Sequence, residues 1–141
     1  MIDRRHIGFS LPAFSVHVDR WRVKLFCQAI GEEDPAFWDR GPVPPTFLKA
    51  IEAENHSSRM MLDAMGVPLH KVLHAEQGFE FIAPVYVGDE ITVVRKVVDV
   101  FDKKGGALEF IAIDSEFTKE GSLVCRGRQL IMVRHEKPYR A

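Results

Sequence analysis

Cysteine is scarce: Cys27 and Cys125 are the only two in the 141-residue chain. They lie far apart, with neither metal-site spacing nor a disulfide framework, so both are read as reduced thiols and the protein as cytoplasmic. Long apolar runs are absent, and nothing approaches the roughly 20 residues of a membrane span. No apolar segment of the secretory kind follows Met1-Ile2-Asp3-Arg4-Arg5-His6. Excess charge is absent too. The formal net charge of −1 produces no global field that would recruit nucleic acid or an anionic membrane. The chain has no internal repeat and no linker. What remains is an ordinary globular composition, 46% apolar and 28% charged. A chain of this length buries roughly two thirds of its unfolded surface. The expectation is a single domain over residues 1–141. No cofactor or metal is expected.

The pattern along the chain predicts an α+β protein. Residues 1–13 read as an irregular lead-in on the domain surface, and 14–18 as a first strand. Asp19 is a candidate N-cap. Behind it Trp21, Leu25 and Ile30, with Val23, Phe26 and Ala29, fit a helical stripe that Gly31 ends. An acidic turn, Glu32-Glu33-Asp34-Pro35, and a Pro-rich loop, Gly41-Pro42-Val43-Pro44-Pro45-Thr46, follow. Thr46 starts a second helical segment reaching towards Met65. Its middle, Glu54-Asn55-His56-Ser57-Ser58-Arg59, is polar for a core helix. There the helix either breaks or faces water or a partner. Met60, Met61 and Met65 read as core filler.

The second half alternates as strands do. Strands are expected at 74–82, 91–101, 107–118 and 123–133, with a hairpin turn at Lys103-Lys104-Gly105-Gly106 and a loose charged tail from Arg134. A long sheet needs cover on its apolar face. Only the segment from Phe47 to Met65 is long enough, which predicts an antiparallel sheet wrapped around a central helix. Val93 and Val97 on one face, against Val94 and Val98 on the other, predict that a second face or an edge meets another subunit.

Four motifs carry a family resemblance. They are Phe26 with Ala29-Ile30-Gly31-Glu32-Glu33-Asp34-Pro35; Val43-Pro44-Pro45-Thr46-Phe47; Leu73-His74-Ala75-Glu76-Gln77-Gly78-Phe79 leading to Ala83-Pro84-Val85 and Gly88-Asp89; and Val124-Cys125-Arg126-Gly127. In this order and spacing the chain resembles the MaoC-like hotdog dehydratases. It is most similar to their N-terminal-type domain, found in fungal fatty-acid synthase and in the non-catalytic subunits of mycobacterial hydroxyacyl-thioester dehydratases. The resemblance implies a hotdog fold that dimerises through one continuous sheet. It implies an acyl thioester of coenzyme A or acyl carrier protein as ligand, and it implies hydration or dehydration as the chemistry.

Active members of that family carry Gly-Asp-x-Asn-Pro-x-His, where the Asp and His manage the water and the transferring proton. Laid on this chain, Gly31 matches the Gly, Glu32 the Asp, Asp34 the Asn, Pro35 the Pro and Phe37 the His. Phe37 cannot hold a proton, so the dyad is incomplete. The N–H groups of Thr46 and Phe47 fall near the family's carbonyl-polarising position, where Pro45 has no N–H to give. The catalytic candidates are therefore Glu32, Asp34 and His74, the last as a substitute imidazole. The substrate-binding candidates are Phe37, Pro45, Thr46, Phe47 and Phe79, with Phe81 as core or acyl-channel wall.

Three readings stay open. The first is a non-catalytic acyl-binding subunit paired with a catalytic MaoC-like chain. The second is a homodimeric enoyl hydratase or acyl thioesterase using Glu32. The third is a module that only binds acyl thioesters.

Overall fold

In the computed structural model, which describes residues 1–136, five antiparallel strands form one sheet in the order β1-β3-β4-β5-β2. The strands are β1 (Phe14–His17), β2 (Val72–Phe81), β3 (Glu90–Lys103), β4 (Leu108–Lys119) and β5 (Ser122–Arg134). Three α-helices accompany them: α1 (Arg20–Ile30), α2 (Phe47–Glu52) and α3 (Ser57–Ala64). The three central strands match the sequence reading to within one residue at most ends, because Val, Ile and Thr make up half of β3 and the turns at Gly105-Gly106 and Gly121 delimit β4 and β5.

The caps of α1 explain its limits. The Asp19 carboxylate accepts the N–H of Arg22 at 3.0 Å, and Gly31 closes the helix in the left-handed region at φ 78°. Only part of the expected stripe is buried. Val23 enters the core and Phe26 is partly buried against it, whereas Trp21, Leu25 and Ile30 are exposed; Cys27, outside the expected stripe, is fully buried. The helix touches the rest of the molecule along one narrow line, so the second apolar line is left outside.

The central segment breaks. Asn55 and His56 adopt φ values of 57° and 52°, and α3 restarts at Ser57. The break is held from inside: Ser57 Oγ donates to the Glu52 carbonyl, and Arg95 Nη1 donates to Ser57 Oγ and Ser58 Oγ at 2.9 Å each. Met61 and Met65 fill the core as expected, but Met60 points outward and is 42% exposed. The lead-in is less superficial than its sequence implies. Ile2 and Leu11 are buried, and Gly8, Phe9 and Leu11 exchange backbone hydrogen bonds with Val97 and Arg95 of β3. Nor is the start of the tail loose. Arg134 ends β5, the His135 N–H donates to the Ala107 carbonyl at 3.1 Å, and the His135 ring meets the buried Glu109 carboxylate. The rest of the expected tail, 137–141, lies outside the described residues.

The core has two apolar clusters. One holds Val23, Cys27, Leu48, Ile51, Val93, Phe117 and Cys125; the other holds Met61, Leu62, Val97, Ile113, Ile131 and Val133. Each long element crosses from one to the other through a small or polar residue. These are Arg95 on β3, Ser115 on β4, Gly127 and Gln129 on β5, and Glu52 with Ser57 at the helix break. On the outer face of the sheet Phe101, Phe110, Met132 and Leu73 pair in one row across four strands. Phe101 and Phe110 stack there at 5.0 Å. The expected two-faced strand is thus real: Val93 and Val97 are buried and Val94 is 37% exposed on the other side.

Candidate functional site

The turn after α1 uses its own carboxylates. Glu32 Oε1 accepts the Asp34 N–H at 3.1 Å. Asp34 Oδ1 accepts the Ala36 N–H at 3.0 Å and so caps the single 3-10 turn Pro35–Trp38. With Pro35 at its first position that turn is locally determined. It places Phe37 against the body of the domain.

Phe37 there lines an apolar cavity of about 410 Å³ together with Pro45, Leu48, Phe81, Val85 and Cys125. Leu48 and Cys125 are 2% and 1% exposed and form its inner wall, while Phe81 is 52% exposed at its mouth. A cavity of this size and lining accepts an apolar chain and offers it no side-chain charge.

The other candidates take different places. Thr46 is exposed and opens α2 without a side-chain cap. The Phe47 N–H is already engaged, donating to the Pro44 carbonyl at 2.9 Å. The Phe47 ring is 3% exposed and meets Phe26 edge-on at 5.4 Å, inside the core. Phe79 is half-buried and lies 5.6 Å from the Phe81 ring. His74 is exposed near the opposite end of β2, with Nε2 3.1 Å from the Glu76 carbonyl oxygen. Seven residues of strand separate it from Phe81, about 23 Å at ~3.3 Å per residue. Within one chain the fold therefore does not join His74 to Glu32. Among the described residues Glu32 and His74 share no hydrogen bond, each side chain meeting the backbone of its own segment.

The sequence matches the FAS1-like, dehydratase domain region family over residues 5–126. The chain belongs to that family. As a FAS1-like dehydratase-region protein it is 25% identical to a UPF0336 protein of Saccharopolyspora erythraea, covering 94% of this chain and 92% of that protein. Solved structures share its fold. The HadBC (3R-hydroxyacyl-ACP dehydratase) complex of Mycobacterium tuberculosis superposes with a TM-score of 0.70 at 21% identity, covering 90% of this chain and 96% of that one. A MaoC-like dehydratase of Rhodospirillum rubrum superposes at 0.62 with 19% identity, covering 94% of each. The fold of this FAS1-like chain is the MaoC-like hotdog.

Sequence reasoning located two cavity residues, Phe37 and Pro45, and left Phe81 between core and channel. It missed Leu48, Val85 and Cys125 as walls. The signal was present, since Ala83-Pro84-Val85 and Val124-Cys125-Arg126-Gly127 both belong to family motifs. Nothing in either string says that the two meet. The wall has a chemical consequence at Cys125. Burial, with the charges of Glu52 and Glu80, pushes this thiol up to about 11; burial and Glu32 also raise Cys27.

At pH 8 the thiolate fraction of Cys125 is therefore about a hundredfold below that of an ordinary thiol. Iodoacetamide at pH 8 is expected to leave both cysteines unmodified in the native protein and to alkylate both in urea, as read by intact mass. Equal rates in the two states would contradict the buried wall. The same shift carries a pH sign. The unfolded thiol ionises first, so this contribution to stability is present below about pH 9 and declines as pH rises towards the folded value.

Proposed function

We propose that this chain is the acyl-binding, non-catalytic member of a hotdog dehydratase or hydratase assembly, with acyl thioesters of coenzyme A or a carrier protein as ligands. One observation carries the reading. At the position of the family's catalytic histidine stands Phe37, and its ring is part of an apolar cavity wall, while the remaining carboxylates, Glu32 and Asp34, accept backbone N–H groups of their own turn. An imidazole-free site binds an acyl group without an acid–base pair to act on it. The partner is a catalytic MaoC-like chain that brings the Asp and His. The edge strand β2 supports an assembled state. Among the described residues it pairs only with β5, and Leu73, Phe81 and the adjoining Ile82 are about half exposed, a combination that favours strand addition by a second subunit.

The test is hydration of trans-2-enoyl-coenzyme A, followed at the conjugated thioester absorbance. The purified chain is expected to show no turnover. Co-purified with a catalytic MaoC-like chain, it is expected to sediment as a mixed oligomer that does turn over. Clear turnover by the chain alone, lost in Glu32→Gln, would replace this reading with that of an enzyme in its own right.

A further inference from the structure

The core of this domain is interrupted where an apolar core would be continuous. From the cavity inward, the next residue on the same face of α2 after Leu48 is Glu52, one helical turn or about 5–6 Å away. The next inward-facing residue on β5 after Cys125 is Gly127. Glu52 and Arg95 are 1% and 0% exposed in their side chains, with Oε1 and Nη2 3.9 Å apart. Lys49 Nζ also bonds Glu52 Oε1, and Arg95 Nη2 donates to Gln129 Oε1 at 2.7 Å.

The second carboxylate oxygen, Glu52 Oε2, is buried with no hydrogen-bond partner among the described residues, as are Arg95 Nε and both side-chain polar atoms of Gln77. It lies 3.2 Å from where a Cβ at Gly127 would stand. The absent side chain leaves that oxygen its space, between the cavity wall and the second apolar cluster. Buried polar groups of this kind require a hydrogen-bonding neighbour. A methylene chain cannot be one.

We infer that the Glu52–Arg95 layer is the floor of the acyl cavity and restricts this chain to short acyl groups. The inference rests on the acyl-binding reading above. A chain entering past Phe81 and Pro45 runs along Leu48 and Cys125. To go further it must lie against the unpartnered Glu52 Oε2 and the Arg95 guanidinium, which a methylene chain cannot hydrogen-bond. The apolar space beyond, around Met61 and Ile131, is closed to it by polarity as well as by packing.

The affinity profile is the readout. In an unbounded apolar channel each methylene buried tightens binding roughly fourfold. Butyryl-, hexanoyl-, octanoyl- and dodecanoyl-coenzyme A are titrated into the purified protein by calorimetry. Affinity is expected to rise from butyryl to hexanoyl and then to stop rising or fall. The double variant E52L/R95L, checked for folding by circular dichroism, is expected to move the break to longer chains, and Glu52→Gln, which keeps the floor polar, is expected to leave it in place.

A steady rise through dodecanoyl in the wild type overturns the floor and leaves acyl binding standing, as does an unmoved break in a folded double variant. If no thioester binds at any length, the acyl-binding reading falls and the floor with it. If the double variant does not fold, the wild-type series decides alone.

Discussion

Arg95→Met is expected to lower the stability of the domain by about 3–5 kcal/mol, the usual cost of removing one partner from a buried ion pair. The guanidinium is fully buried and serves four groups: Ser57 Oγ, Ser58 Oγ and Gln129 Oε1 by hydrogen bonds, and the Glu52 carboxylate by charge. Burial pulls the Arg95 pKa down and the Glu52 charge pulls it back up. Lys49 shows the same opposition, again with burial as the larger influence. Among the described residues, removing Arg95 leaves Lys49 as the cation beside Glu52, and it takes from Ser57 Oγ and Ser58 Oγ the donor that ties the break between α2 and α3 to β3. Domains of this size are stable by only about 5–15 kcal/mol, so the loss is a large part of the total. E52L/R95L is expected to cost less than either single change, because replacing the pair together leaves neither a fully buried carboxylate nor a fully buried guanidinium without its partner, and Lys49, which loses Glu52, is 29% exposed in its side chain and reaches water. Urea unfolding of the wild type, E52L, R95L and E52L/R95L closes this double-mutant cycle. Additive losses would show that the two residues are not coupled across the layer.

That layer also marks the limit of what the amino-acid pattern makes legible. The β3–β4–β5 hairpins are readable because β-branched residues alternate and Gly-rich turns separate them. The limits of α1 are readable because Asp19 and Gly31 are local devices. The helix break is not local. Its polar hexapeptide fits either a broken helix or a solvent-facing one, and Arg95, nearly forty residues downstream, decides between them. Strand parity does carry a hint: Arg95 shares a face with Val93 and Val97, both fully buried. A charged residue on a buried face demands a partner, but parity alone does not name Glu52.

The candidate site divides in the same way. The motif match brings Phe37 to attention, and Pro45 follows from its loop. His74 and Glu32 are both polar candidates in the sequence, and the structure ties each to the backbone of its own segment. Exposed Trp21 and Leu25 have a similar cause. A helix stripe records which residues are apolar, and the number of neighbours decides how many of them are covered.

Restoring the family motif is the sharpest test of why Phe37 matters. In E32D/F37H the imidazole replaces a ring that already faces the cavity, and the shorter carboxylate reproduces the family's Asp. An acid–base pair contributes about 10²–10⁴-fold to such a reaction. The double variant is therefore expected to hydrate crotonyl-coenzyme A at a rate roughly 10²-fold above the detection limit at which the wild-type chain shows no turnover, measured as loss of the conjugated absorbance at pH 7–8. The apolar wall disfavours the imidazolium and so holds the new histidine in its basic form at that pH. Each half of the change is expected to do little alone. Phe37→His leaves Glu32 one methylene too long and bonded to the Asp34 N–H, and Glu32→Asp leaves no proton carrier. Phe37→Ala separates chemistry from space, since it opens the cavity without adding a base and is expected to change acyl affinity but not turnover. If the double variant folds, binds crotonyl-coenzyme A and still gains no rate, then the Phe37 ring does not occupy the imidazole's place, and the missing histidine is not what sets the activity of this chain.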